Sequence, residues 1–220
     1  VKITYYLDVI SSWCHWVEPV WAELQRRFER EVEFAWKIAL MDASGLPVSR
    51  DQLEWFYRRS GIMMRSSCKL NSGWYEPTIS EYLAPNAVAE AAREMGVTDG
   101  SVRIAIAEAA VLRGDRVGDW AVSARIASHV SGLNAKELLT RAKSPEIDAR
   151  LRTTTHEFQA LGITQRPAFR LENVMGDQTV FSGVVSLAAI SAAVSAMLED
   201  ETTAKAYAVH YGNPPTASAS

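Results

Sequence analysis

The sequence predicts an α/β fold interrupted by an all-helical block. Three observations predict it. The first forty residues read strand–helix–strand, about 110 residues then show only helical periodicity, and the end reads strand–strand–helix. Lys2 to Val9 alternates, with Ile3, Tyr5, Leu7 and Val9 on one face. Val32 to Leu40 alternates more cleanly, with Val32, Phe34, Trp36, Ile38 and Leu40 set against Glu33, Ala35, Lys37 and Ala39. Between them, Trp13, Val17, Val20, Trp21, Leu24 and Phe28 recur at helical spacing over Ser12 to Arg30. A crossover of this kind places two strands parallel in one sheet.

The middle of the chain is punctuated by helix signals. Asp51 to Ser60 is a short helix, followed by the loop Ser66 to Pro77. Pro85 to Met95 opens on proline and stops at Gly96, and Ser101 to Arg113 stops at Gly114. Asp119 caps a helix that runs to Val130 and ends near Gly132. Asn134 to Ala142 follows, then Pro145 to Leu161 behind a cap at Ser144. Strand patterns return at Ala168 to Glu172 and Gln178 to Phe181, separated by the hairpin-like turn N-V-M-G-D. Ser186 to Glu199 is an apolar helix striped by Leu187, Ile190, Val194 and Leu198. The domain organisation expected is a discontinuous α/β domain over 1–45 and 160–200, a helical insertion over 46–159, and a polar tail over 201–220.

Composition narrows the function classes. The 220 residues are 48% hydrophobic and 22% charged with a net charge of −3, an ordinary globular balance able to bury a sizeable core. No basic stripe favours a nucleic-acid partner. No apolar run reaches the roughly 18 residues of a spanning helix, so no membrane role is expected. The opening V-K-I-T-Y-Y-L-D reads as a strand and lacks the pattern of a secretory signal. Cys14 and Cys68 are too few for a disulfide framework, and the expectation is a cytoplasmic protein with reduced thiols. Neither a nucleotide-binding glycine loop nor a nucleophile elbow is present. Cys14-His15 without further partners is weak zinc evidence, so no metal is expected, and His129, His156 and His210 are isolated.

The chemistry concentrates where the first strand meets the first helix, at Asp8-Val9-Ile10-Ser11-Ser12-Trp13-Cys14. A second stretch is Gly162-Ile163-Thr164-Gln165-Arg166-Pro167-Ala168-Phe169, and a third is Phe181-Ser182-Gly183. With the element order, these resemble the DsbA family of the thioredoxin fold over nearly the whole chain. The nearest branch holds FrnE-like oxidoreductases, with D-x-x-C-P-W-C at the junction. It also holds kappa-class glutathione transferases and 2-hydroxychromene-2-carboxylate isomerases, with D-x-x-S-P-Y. Aligned on Asp8 and Trp13, Ser11 takes the place of the nucleophilic cysteine, Cys14 that of the resolving one, and Ser12 that of the proline. Pro19, eight residues after Ser11, matches the proline expected to kink the helix in that family. The resemblance makes Pro167 the cis proline that faces the site, with Arg166 before it. Gly183 falls on the glycine after the last strand; the kappa enzymes follow it with S-D-R, and this chain with Val184-Val185. The implied fold class is a thioredoxin-like α/β fold with an all-helical insertion domain, as a monomer or homodimer.

Dithiol exchange needs two thiols one turn apart, which S-x-x-C does not supply. Two chemistries fit the junction. In one, Ser11 holds the thiolate of glutathione or another small thiol at a helix N-terminus, giving an isomerase- or transferase-like enzyme. Its site is Ser11 and Cys14 as catalytic residues, with Ser12, Trp13, Arg166, Pro167 and Gly183 around the cosubstrate and Arg166 facing a carboxylate. In the other, Cys14 acts alone as a thiol–disulfide oxidoreductase, resolved by Cys68 if the helical block folds over the junction. A third outcome is a redox-inactive protein that uses the same groove to bind a peptide or small ligand. Each residue also has a plainer reading: Ser11 a helix cap, Cys14 a small buried residue, Cys68 incidental, Arg166 a surface residue. Of Trp13, Trp16, Trp55 and Trp74, which could line a pocket for a small aromatic substrate, Trp13 is preferred, while Trp16 and Trp36 read as core.

Overall fold

A computed structural model describes residues 1–212. The chain runs β1 (Lys2–Leu7), α1 (Ser12–Arg27) and β2 (Glu33–Ile38). Six helices follow: α2 (Arg50–Met63), α3 (Leu83–Glu94), α4 (Ser101–Glu108), α5 (Trp120–Ser131), α6 (Ala135–Ala142) and α7 (Pro145–Ala160). It ends with β3 (Ala168–Glu172), β4 (Gln178–Ser182) and α8 (Leu187–Tyr211). The strands form one sheet in the order β2-β1-β3-β4. β1 and β2 are parallel, as a helical crossover requires, and β3 pairs antiparallel with both β1 and β4. Asn173 closes the β3–β4 hairpin, its side chain accepting from the Met175 and Asp177 amides, with Gly176 at φ +94.

β1 is buried on both faces. Ile3, Tyr5 and Leu7 join the core built with Val17, Trp21 and Leu24 of α1 and Ile190 and Val194 of α8. Tyr5 packs against the Trp21 and Phe169 rings, at 5.2 and 4.9 Å, and these two lie 6.1 Å from each other. On the opposite face Tyr6 packs with Ala39, Ala168 and Phe158 of α7. The sheet therefore lies between two helical layers, the arrangement that the apolar residues on both faces of β1 demand.

The expected helix boundaries shift in three places. α2 continues to Met63 beyond the expected Ser60. The last turn before Gly114, Ala109–Arg113, is π-helical. There the 66–77 loop docks, with the Asn71 amide donating to the Val111 carbonyl and its side chain to Arg113. α8 runs to Tyr211, so 201–211 is helix where the sequence reading placed a tail. Glu201 explains why the acidic run does not stop the helix. It turns inward and accepts from the Val174 amide and the Val1 nitrogen. The rest of the expected tail, residues 213–220, lies outside the described residues.

Buried polar links join the intervening helices to the sheet layer, among them Thr154 of α7, which donates to the Ile38 carbonyl of β2 at 2.6 Å. Asn86 of α3, 0% exposed, accepts from the Val9 amide at 3.0 Å and donates to Asp8 Oδ1 at 3.2 Å. Arg103 of α4 forms an ion pair with Glu18 of α1 and lies 5.5 Å from the Tyr5 ring centroid. No helix is long and apolar enough to cross a membrane among the described residues.

Candidate active site

The junction after β1 is held from three sides. Asp8 is buried at the end of the strand. Its Oδ1 accepts from the Ile10 amide at 3.1 Å and from Asn86, and its Oδ2 accepts from the Met41 amide at 2.8 Å. Burial raises the Asp8 carboxyl above its ordinary range, against the opposing effect of these hydrogen bonds. The turn is completed by the Ser11 amide donating to the Asp8 carbonyl.

Ser11 is the N-cap of α1. Its backbone is extended, at φ −69 and ψ 118, and its Oγ accepts from the Cys14 amide at 3.4 Å. A hydroxyl that accepts this bond still has a proton to donate. The Ser12 and Trp13 amides are in the first turn, where no intrahelical acceptor exists. Ser11 thus places its hydroxyl at the positive end of a 16-residue helix.

Cys14 is in the opposite situation. It is 3% exposed on the core side of α1, and burial pushes its thiol up to about 12, against a smaller lowering effect of the Ser11 hydroxyl. Cys68 is exposed and unpaired with Cys14. It lines a separate groove of about 690 Å³ between α2 and residues 66–72, with no residue of the junction in its wall. That groove is the larger of the two, but size alone does not bring it the junction chemistry.

The junction opens into a cavity of about 390 Å³. Ser11 and Trp13 form one wall, and Met41 and Gly45, from the segment after β2, form another. Arg59 and Met63 of α2 close the far side. Thr164, Gln165 and Arg166 precede Pro167, and the Arg166–Pro167 peptide bond is cis. Gly183, at φ +89, and Val184 complete the rim, with the Gly183 amide donating to the Pro167 carbonyl at 2.8 Å. A side chain at Gly183 would be strained and would crowd Gln165 Oε1 at 3.2 Å.

Arg166 faces this cavity, but its guanidinium is spoken for. Nε donates to the Ala39 carbonyl at 2.5 Å, Nη2 to Leu40 at 2.6 Å, and the group lies 4.5 Å from the Phe158 ring centroid. The carboxylate partner expected at Arg166 therefore meets a side chain already tied to the main chain after β2. Of the tryptophans considered, Trp13 lines the cavity, Trp16 donates to Ser60 Oγ from a half-buried position, and Trp36 and Trp74 are core. Trp55 is exposed on α2. His15 is partly buried, which lowers its imidazole below the ordinary value. Among the described residues no cluster of three or more His, Cys, Asp or Glu has metal-binding geometry.

Sequence reasoning missed Asn86, Met41, Arg59 and Met63. Asn86 sits in an Ala-rich helix whose periodicity says only that one face is buried. Trp55, Arg59 and Met63 do follow one another at four-residue intervals on α2, a stripe visible in the sequence once the helix is placed.

A four-stranded sheet with a parallel β1–α1–β2 unit, an N-capped helix directly after β1, a cis proline directly before β3 and helices inserted between the two halves define a thioredoxin-fold protein with a helical insertion. The chain belongs to the DsbA-like thioredoxin domain family, whose model matches residues 2–195. A proposed protein disulfide isomerase from Nitrosomonas europaea is similar in structure, with a TM-score of 0.73 at 18% identity over 90% of this chain and 98% of that one. The cytosolic disulfide reductase DsbM from Pseudomonas aeruginosa gives 0.65 at 16% identity, over 83% and 89%. A 2-hydroxychromene-2-carboxylate isomerase gives 0.65 at 11% identity, over 92% and 98%. At these identities the likeness is one of fold. No curated protein sequence matches the chain.

Proposed function

We propose that this DsbA-like protein is an enzyme that holds a small thiol, with glutathione as the leading candidate, at Ser11 and presents its sulfur to a second substrate. The observation that carries the reading is the contrast at the junction. The capping serine, 6% exposed, borders a cavity that the residues before the cis proline also line, while Cys14 is absent from that wall and buried with its thiol near 12. A thiol that stays protonated and inaccessible is a poor nucleophile, which weighs against a disulfide oxidoreductase working through Cys14. The distinct groove around Cys68 weighs against its serving as the resolving partner.

The site residues take roles that follow from their positions. A thiolate seated at the α1 N-terminus would accept from the Ser11 hydroxyl and from the unpaired first-turn amides, lowering its pKa. Ser12 and Trp13 carry those amides, and the Trp13 ring forms an apolar wall. Gly183, whose amide is bonded to the Pro167 carbonyl behind the cavity wall, shapes a further side, and Arg166 fixes the segment after β2. The bound thiolate would add to a conjugated substrate and leave again, giving isomerisation, or stay attached, giving transfer. DsbM has been crystallised with glutathione, and a structural neighbour is an isomerase; both agree with this reading at the level of fold. A cytoplasmic setting, where small thiols are reduced, suits it.

A glutathione titration read by tryptophan fluorescence tests the proposal. Saturable quenching that weakens in Ser11→Ala and persists in Cys14→Ala is the expected result. No saturable response in wild type defeats the glutathione reading. Binding unaffected by Ser11→Ala would favour a redox-inactive binding groove.

A further inference from the structure

Arg59 lines the junction cavity from α2. Its helix neighbours at three and four residues are Trp55, Phe56, Ile62 and Met63, all apolar and all exposed. The guanidinium carbon lies 5.9 Å from the Trp55 ring centroid, and no carboxylate is within ion-pairing distance among the described residues. Its neighbour Arg58 has Glu54 one turn earlier and lines the Cys68 groove instead. The junction cavity has two cations in its wall, Arg59 and Arg166, and no acidic side chain. Arg166 is bound to the carbonyls of Ala39 and Leu40, so the guanidinium with donors to offer is that of Arg59. Around it Trp13, Met41, Met63 and Val184 supply apolar surface.

We infer that Arg59 is the specificity-determining residue of this cavity, selecting ligands that combine a carboxylate with an apolar body. The inference deepens the proposed function and rests on it for the identity of the site. A planar guanidinium offers a two-point contact to a carboxylate that apolar side chains do not. The carboxylate belongs either to the thiol cosubstrate or to its acceptor, and the chemistry at Arg59 is the same for both.

Ligand-observed NMR titrations separate these sources. Two matched pairs serve as probes: glutathione with its diethyl ester, and 4-phenylbutyrate with 4-phenylbutanamide. Wild type should bind the acid of at least one pair about three to ten times more tightly than its neutral partner, the range for a partly exposed charge-assisted contact. Arg59→Gln should remove that preference, Arg59→Lys should restore part of it, and Arg58→Gln should leave it intact. A preference confined to the glutathione pair assigns the carboxylate to the thiol, and one confined to the phenyl pair assigns it to the acceptor. Equal binding of acid and neutral ligand, or a preference that survives Arg59→Gln, overturns the inference while Ser11-dependent glutathione binding still stands. Arg59-dependent binding of 4-phenylbutyrate without thiol binding sustains the inference and removes the thiol reading. Binding of none of the four probes overturns both.

Discussion

Ser11 and Cys14 lie three residues apart and both are nearly buried, yet only Ser11 borders the cavity. The cap residue precedes the helix and faces the cavity, whereas Cys14 falls on the face that carries Val17, Trp21 and Leu24 into the core. Two expectations follow for the thiol. In native protein a thiol reagent such as Ellman's should titrate Cys68 rapidly and Cys14 only on unfolding; a fast reaction in Cys68→Ser would contradict this. A thiol pushed from 9 to about 12 by burial favours the folded state in its protonated form. That contribution is complete below pH 9 and lost as pH rises from 9 toward 12, by up to about 1.4 kcal/mol per pH unit. Stability of Cys14→Val should therefore fall less steeply than that of wild type over this window, as read by chemical denaturation. Gly183→Ala should cost about 1–2 kcal/mol from its left-handed backbone, and should also weaken ligand binding by moving Gln165. The junction, the cis proline and Gly183 were legible because short motifs fix them. Arg59 was not, because a surface arginine has no signature until a helix aims it at a cavity.

At the scale of elements, α3 reaches the site through one side chain. Asn86 satisfies the Val9 amide and Asp8, and also donates to the Tyr82 carbonyl. Asn86→Ala would leave buried polar groups without partners. The expected cost is about 1–3 kcal/mol in denaturant unfolding, with weaker ligand binding because Asp8 sets the turn that carries Ser11. Unchanged stability would show that the link is not needed. Strand and helix order was readable from periodicity, since β1, β2, β3 and β4 each carry a run of strand-forming residues between turns. The end of α8 was not, because Glu199-Asp200-Glu201 reads as surface in sequence, and only the fold supplies the inward partners of Glu201. The same holds for Tyr6, whose buried second face depends on α7 returning to the sheet.

For the whole molecule, the buried Arg103–Glu18 pair and the Asn86 link make the sheet and the helices between its halves depend on each other. Unfolding should therefore be one transition, with near- and far-ultraviolet circular dichroism coinciding. Arg103→Met should cost about 3–5 kcal/mol, because it strands the Glu18 carboxylate, and adding Glu18→Met should recover part of that loss. Two separated transitions would contradict this coupling. The central claim, that the molecule is built to hold a foreign thiolate at Ser11 and not to use its own, has a direct test. The pKa of bound glutathione's thiol can be read from thiolate absorbance near 240 nm, in a Cys68→Ser background, with and without Ser11→Ala. The account predicts that the thiol titrates below its value in free solution and moves back toward it in Ser11→Ala. A bound thiol that titrates as in water, or equally in both proteins, would contradict it.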